Sequence, residues 1–155
     1  MSELQSKPVW CWLPGEAKPV RCGTFSWRRG WGQFTYDPAY AATPGARPLD
    51  PVRLPFSRTN RPATEIRQDG LFGIFRDASP EGYGLQILEN ISGRPLEGPL
   101  DRLEASLGDG AGAIEICENI ERKVSFMPAS LSSLLDSLTG LPEGAPVSRA
   151  VRDLH

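Results

Sequence analysis

The chain has 155 residues, of ordinary hydrophobic and charged content, with a formal net charge of −2. That length supports one domain, or one with a small appendage, and a core large enough to need no disulfide staples. The acidic balance argues against a general nucleic-acid binder, which normally carries a basic excess.

The first forty residues alternate as strands do. Pro8 to Leu13 (PVWCWL) is a short apolar run, and PGEAK supplies turn chemistry. Pro19 to Trp27 continues extended, with Val20, Cys22, Thr24 and Ser26 set against Arg21, Gly23, Phe25 and Trp27. Arg28-Arg29-Gly30 reads as a hairpin tip, and Trp31 to Asp37 returns as a strand. Asp37 to Pro51 is expected as a loop with at most one helical turn. Val52 to Ser57 is expected as a short extended piece, and the polar run from Ser57 to Gly70 as loose chain. Leu71 to Phe75 is apolar and buried, too short to assign to strand or helix.

The second half turns helical. Ser79 is placed to cap a helix with Pro80 in its first position, running to about Asn90 and stopped by Gly93 and Pro95. Pro99 to Gly108 is a second helix, with Leu100, Leu103 and Leu107 on one stripe. Ala113 to Cys117 reads as a strand with Lys123 to Met127 as its partner. A third helix opens at Ala129 or Ser130 and carries Leu131, Leu134, Leu135 and Leu138 to Gly140, and a fourth begins near the end. The fold class is therefore α+β: a small antiparallel sheet formed by the N-terminal meander, packed by three to four short helices.

The glycines at 108, 110 and 112 raise the question of a phosphate loop. Such a loop follows a strand and opens a helix, so that amides and the helix dipole face the phosphate. Here a leucine-striped helix precedes the glycines and a strand follows, and the Lys-Ser/Thr of a P-loop is missing. A helix cap and small-residue turn is the simpler reading. His155 is the lone histidine and the last residue, which removes histidine-based triads and metal sites. Cys11, Cys22 and Cys117 have no metal-ligand spacing and read as buried, reduced thiols. Glu115, Glu118 and Glu121 read as a solvated edge rather than an acid–base pair. No catalytic residue, cofactor or metal is expected. The N-terminus has no apolar run and no stretch approaches a membrane span, so the expected compartment is the cytoplasm, without a membrane partner.

Two stretches suggest contact surfaces. Trp27, Arg28, Arg29 and Trp31 form an aromatic and basic tip; Trp and Arg favour protein interfaces, and stacking on nucleic-acid bases is the alternative use. In Arg76 to Gly84, Pro80 sets an entry angle, Glu81 suits a helix start, and Gly82 and Gly84 allow close backbone approach beside Tyr83.

The combination of GQFTYDPAY, RLPFS, GLFGIFRDASPEGYGLQILE and LGDGAGAIEI resembles the N-terminal region of HipA-type toxin kinases. Phe34, Tyr36, Asp37, Leu54, Pro55, Phe75, Asp77, Pro80, Glu81, Tyr83, Gly84, Gly112 and Ala113 sit where that family's pattern has them. The likeness spans about residues 8 to 117, and the tail around Ser148 to Leu154 is similar to the segment just upstream of the family's ATP loop. The resemblance implies a first unit, 1–117, and a hairpin and helical extension, 118–155, leading toward a kinase core. It implies a non-catalytic lobe of a serine/threonine toxin kinase in a type II toxin–antitoxin system, one whose kinase phosphorylates an aminoacyl-tRNA synthetase. The implied partners are the HipA-like kinase core, in the same or a separate chain, and a HipB-like DNA-binding antitoxin. The family's ATP loop, nucleotide lysine and catalytic and metal-binding aspartates have no counterpart between Met1 and His155, so phosphoryl transfer is not expected of this chain alone. The competing expectation is a nucleotide site at Gly108 to Gly112, or an active site completed in trans.

Overall fold

The structure, a computed structural model, describes residues 3–59, 61–106 and 113–124. It is α+β, built on a five-stranded antiparallel sheet in the order β4-β3-β2-β1-β5. The strands are β1 (Gln5–Cys11), β2 (Val20–Arg28), β3 (Trp31–Tyr36), β4 (Ala63–Glu65) and β5 (Ile114–Ile116). Helical segments are α1 (Pro38–Ala41), α2 (Gly73–Asp77), α3 (Gly82–Ser92), α4 (Pro99–Ala105) and α5 (Glu121–Val124).

The β2–β3 register pairs Phe25 with Phe34 and Trp27 with Gly32. Strand alternation therefore sends Phe25, Trp27, Phe34 and Tyr36 to one face, where all are buried, and leaves Thr24, Ser26, Gln33 and Thr35 half-exposed on the other. On the buried face α2 contributes Phe75, whose ring centroid lies 4.5 Å from that of Phe25 and 5.7 Å from that of Phe34. Between β1 and β2 the pairing shifts after Val9, leaving Cys22 as the extra residue of a bulge, its thiol donating to the Val9 carbonyl at 3.3 Å.

Two tyrosines hold the long connection after β3. The Tyr36 hydroxyl donates to the Leu54 carbonyl at 2.6 Å and accepts the Leu49 N–H at 2.8 Å. Burial, above all, pushes this phenol up to about 12. The Tyr40 hydroxyl donates to the Arg47 carbonyl.

Several expectations are corrected. The run from Ser57 to Gly70 is not loose. It contains β4, whose Ala63 and Glu65 are buried, a short 3₁₀ turn at Phe56–Arg58 and a left-handed turn at Gln68–Gly70. The 3₁₀ turn takes Phe56 and Ser57 from the extended piece expected at Val52 to Ser57, and Val52 and Arg53 form a turn closed by the Leu54 N–H donating to the Asp50 carbonyl. The Arg53 guanidinium, 3.2 Å from the Glu65 carboxylate, makes the buried acid of β4 tolerable.

Pro80 does not start α3. The N–H groups of Ala78 and Ser79 bond back to Ile74 and Arg76 carbonyls, so Ser79 closes α2 and Pro80 stops it. Glu81 is extended and α3 begins at Gly82.

Lys123 is helical, and β5 pairs with β1 (Val9 opposite Ile116). Residues 125–127 of that expected strand, and the helices expected from 129 onward, lie outside the described residues.

Candidate functional site

The hairpin tip divides its four flagged residues between two faces. Arg28 pairs with Trp31 across the β2–β3 ladder, and its guanidinium lies 5.4 Å from the centre of the indole ring, on the half-exposed face. Trp27 points the other way and is buried. Its indole N–H donates to the Asp69 carbonyl at 2.8 Å, and the Asp69 carboxylate accepts the Gly30 N–H at 2.8 Å. One residue thus grips both sides of the tip.

That grip depends on an uncommon backbone. Gln68, Asp69 and Gly70 adopt φ values of 51°, 56° and 82°, three consecutive left-handed residues. The turn they form lies directly on β3: a Cβ on Gly70 would stand 2.4 Å from the Trp31 carbonyl carbon. Gly70→Ala is therefore expected to lose about 3 kcal/mol of stability, from overpacking against backbone plus a strained φ. It should also free the Trp27 indole, which a urea titration with tryptophan fluorescence reads directly. An unchanged midpoint would show that the turn does not rest on the hairpin.

Beside this clamp lies a cavity of about 390 Å³, lined by Trp27, Arg29, Asp69, Leu71, Arg76, Ser79, Glu81, Glu97, Pro99 and Arg102. The tip and the Arg76–Gly84 stretch, some fifty residues apart in sequence, meet here. Of the flagged residues, Trp27, Arg29 and Glu81 line the cavity. Pro80 is half-buried next to Glu81, and Tyr83 stands 60% exposed one residue into α3. Arg28 and Trp31 are on the opposite face and are not brought to it.

The lining presents three guanidiniums, three carboxylates, one hydroxyl and one indole. The Arg76–Asp77 ion pair (3.5 Å) is solvent-exposed at both ends and holds Arg76 only weakly. Arg102 spends its Nε on the Leu96 carbonyl. A shallow cleft of balanced charge with one aromatic wall is suited to hydrogen bonding and ion pairing with a polar partner segment. Sequence reasoning missed Asp69, Glu97 and Arg102; the Asp-Gly dipeptide at 69–70 is a turn signal that marks the first of them.

A second cavity, of about 470 Å³, lies between α4, the end of α3 and α5. At its Ser106 and Lys123 wall the expectation of a solvated acidic edge holds for Glu118 and Glu121, which are exposed, and is corrected for Glu115, which is buried with its carboxylate 2.8 Å from the buried Lys123 ammonium. The same ammonium donates to the Leu103 carbonyl at 2.8 Å and the Ser106 hydroxyl at 2.9 Å, and Ser106 donates to Leu103. All three lysine protons are committed, so Ser106 and Lys123 form a structural node rather than a nucleophile with its base.

Cys11, Cys22 and Cys117 are free and buried, as expected, and burial above all raises each thiol, which suppresses thiolate chemistry. The glycines at 108, 110 and 112 lie outside the described residues, flanked by α4 before and β5 after. Among the described residues no helix is long and apolar enough to cross a membrane, and no group of three His, Cys, Asp or Glu is arranged to hold a metal ion.

A family model described as the HipA N-terminal domain matches residues 16–117, a span that contains every residue lining the 390 Å³ cleft. Comparisons with curated proteins and with solved structures return no match.

Proposed function

Because the chain belongs to the HipA N-terminal domain family, we propose that it acts as a non-catalytic lobe of a HipA-type toxin kinase system, working by protein–protein contact. Its partners in this reading are the kinase core and the DNA-binding antitoxin of a type II toxin–antitoxin pair in the bacterial cytoplasm. The observation that carries the reading is the cleft at which the Trp-Arg tip and the Ser79–Glu81 turn converge, wholly within the family span. Glu81 and Arg76 at its mouth are exposed and oppositely charged, as at a polar interface rim.

The test is a titration of this chain with a separately produced HipA-type kinase core. Charge reversal by Arg76→Glu with Glu81→Arg should weaken binding by about tenfold or more, from lost interfacial pairing. Lys18→Glu, far from the cleft in the β1–β2 loop, should not. Equal affinity for both variants, or phosphoryl transfer by the chain alone with magnesium and ATP, overturns the proposal.

Gly84 separates a surface role from a packing role. It lies in the first turn of α3, and a Cβ built on it meets nothing within 4 Å. Within the chain alone, Gly84→Ala should stabilise by about 0.5–1 kcal/mol through higher helix propensity. If the partner's backbone approaches there, the same substitution weakens the complex. A raised melting temperature together with weakened binding is the expected pair of results.

A further inference from the structure

β4 is an edge of the described sheet, with β3 as its one partner. Among the described residues, no backbone group from Pro62 to Ile66 bonds outside that ladder except the Ile66 N–H, which the Glu65 carboxylate accepts. Such an edge is a template for a further strand, and its neighbours decide which strand.

The charge around it is lopsided. The whole chain is at −2, yet residues 47–67 hold five arginines against two acids. Both acids are committed. Asp50 accepts the Val52 and Arg53 N–H groups at 2.8 and 2.9 Å. Glu65 holds the Arg53 guanidinium and accepts the Ile66 and Arg67 N–H groups. Arg61 and Arg67, on either side of β4, are exposed and form no ion pair among the described residues. Like charges at both ends oppose pairing with a second copy of this strand and favour a segment bearing carboxylates.

Apolar anchors stand at the same edge. Val52, 82% exposed, and Ile66, 72% exposed, are the most open large hydrophobic side chains among the described residues. The Arg53–Glu65 bridge brings their two segments together. The chain stays extended through Arg67, at φ −89° and ψ 167°, so Ile66 continues the parity of Thr64 and Arg67 that of Glu65. Three residues of ladder hold an added strand poorly, so these side chains carry the selectivity.

We propose that the β4 edge takes up an extended segment of a partner protein by strand addition, one that alternates aliphatic and acidic residues. Its backbone pairs with Ala63–Glu65, its aliphatic side chains cover Ile66, and its carboxylates meet Arg61 and Arg67. The surface shares no residue with the 390 Å³ cleft, and the inference does not depend on the kinase reading.

The probe is a capped peptide of alternating valine and glutamate, titrated into the full chain at low salt and followed by amide chemical shifts. Amides of residues 63–67 should shift while those of β1 stay in place, and added salt should weaken binding. Arg61→Glu/Arg67→Glu should lower affinity about tenfold or more. The same peptide N-methylated on alternate amides, or with lysine for glutamate, should not bind, which tests the edge without altering the chain. Equal binding of either control peptide, or no shift at residues 63–67, overturns the proposal. So does protection of the outward-facing β4 amides without peptide, which assigns the edge to the chain itself, or protection that rises with chain concentration, which assigns it to a second copy.

Discussion

Lys123→Ala is expected to destabilise the chain by about 3–5 kcal/mol, because it leaves the Glu115 carboxylate buried without its counter-charge. Both side chains are 6% exposed, so water cannot take over the pairing. The substitution also strips a donor from the Leu103 carbonyl and the Ser106 hydroxyl, two further polar groups at the same buried node. The node ties α5 to the end of α4 and to β5, a strand of three residues at the edge of the described sheet that is otherwise held by its pairing with β1 and by the buried Ile114 and Ile116. Loss of Lys123 should therefore fray β5 from β1 before the rest of the sheet opens. Urea unfolding reads the total, and exchange at Ile114 and Ile116 reads the fraying. The paired change Glu115→Gln/Lys123→Met removes both charges and should recover most of the loss. A loss below about 1 kcal/mol for Lys123→Ala would mean that the pair is effectively solvated.

That node was invisible in the sequence for a definite reason. Glu115 and Lys123 fall in two short runs that read as paired strands, and nothing local marks a charge whose partner is reached through a helical turn. The hairpin was legible because its signal is local: alternation on both strands and Arg29-Gly30 between them. Alternation also dictates that Trp27 and Arg28 face opposite ways, although which side holds the core requires Phe72 and Phe75, just before and within α2. β4 was missed because three polar-flanked residues after Pro62 carry no periodicity. Its register is set by β3 and its buried acid by Arg53, both distant in sequence. Ser79 and Pro80 carry a helix-start signal that serves here as a helix stop, since Glu81 is extended and α3 opens only at Gly82, whose φ is 55°. The cleft was half legible: its two contributing stretches stood out individually, but their meeting depends on the left-handed turn at Gln68–Gly70.

The divided tip also bears on base stacking as a use for the tryptophans. A stacking platform needs an indole face open to solvent. Trp27 is buried with its N–H committed to Asp69, and Trp31 carries the Arg28 guanidinium at one face. What the tip brings to the cleft is Arg29 and the buried Trp27, neither of which is an open stacking face.

Phe75→Ala is the second large effect, expected at about 3–5 kcal/mol. Phe75 is fully buried, and its ring meets Phe25, Phe34 and Phe72 at centroid distances of 4.5, 5.7 and 5.8 Å. Those three rings come from β2, β3 and the residue preceding α2, so the truncation opens a cavity at the point where helix and sheet are joined. α2 has five residues and one fully buried side chain, which is Phe75; Ile74 is only partly buried against the core and is the one other apolar contact the helix offers. The next residue, Arg76, and Ser79 two residues beyond the helix line the cleft. Loss of the anchor should therefore blunt the cleft as well as the stability. Phe75→Leu keeps most of the volume and should cost roughly half as much. Measured below the melting transition of each variant, affinity for the kinase core should fall in the order wild type, Phe75→Leu, Phe75→Ala, in step with stability. Full affinity in a destabilised but folded Phe75→Ala protein would mean that the cleft does not depend on α2 being seated, and a near-wild-type urea midpoint would remove Phe75 from the centre of the core.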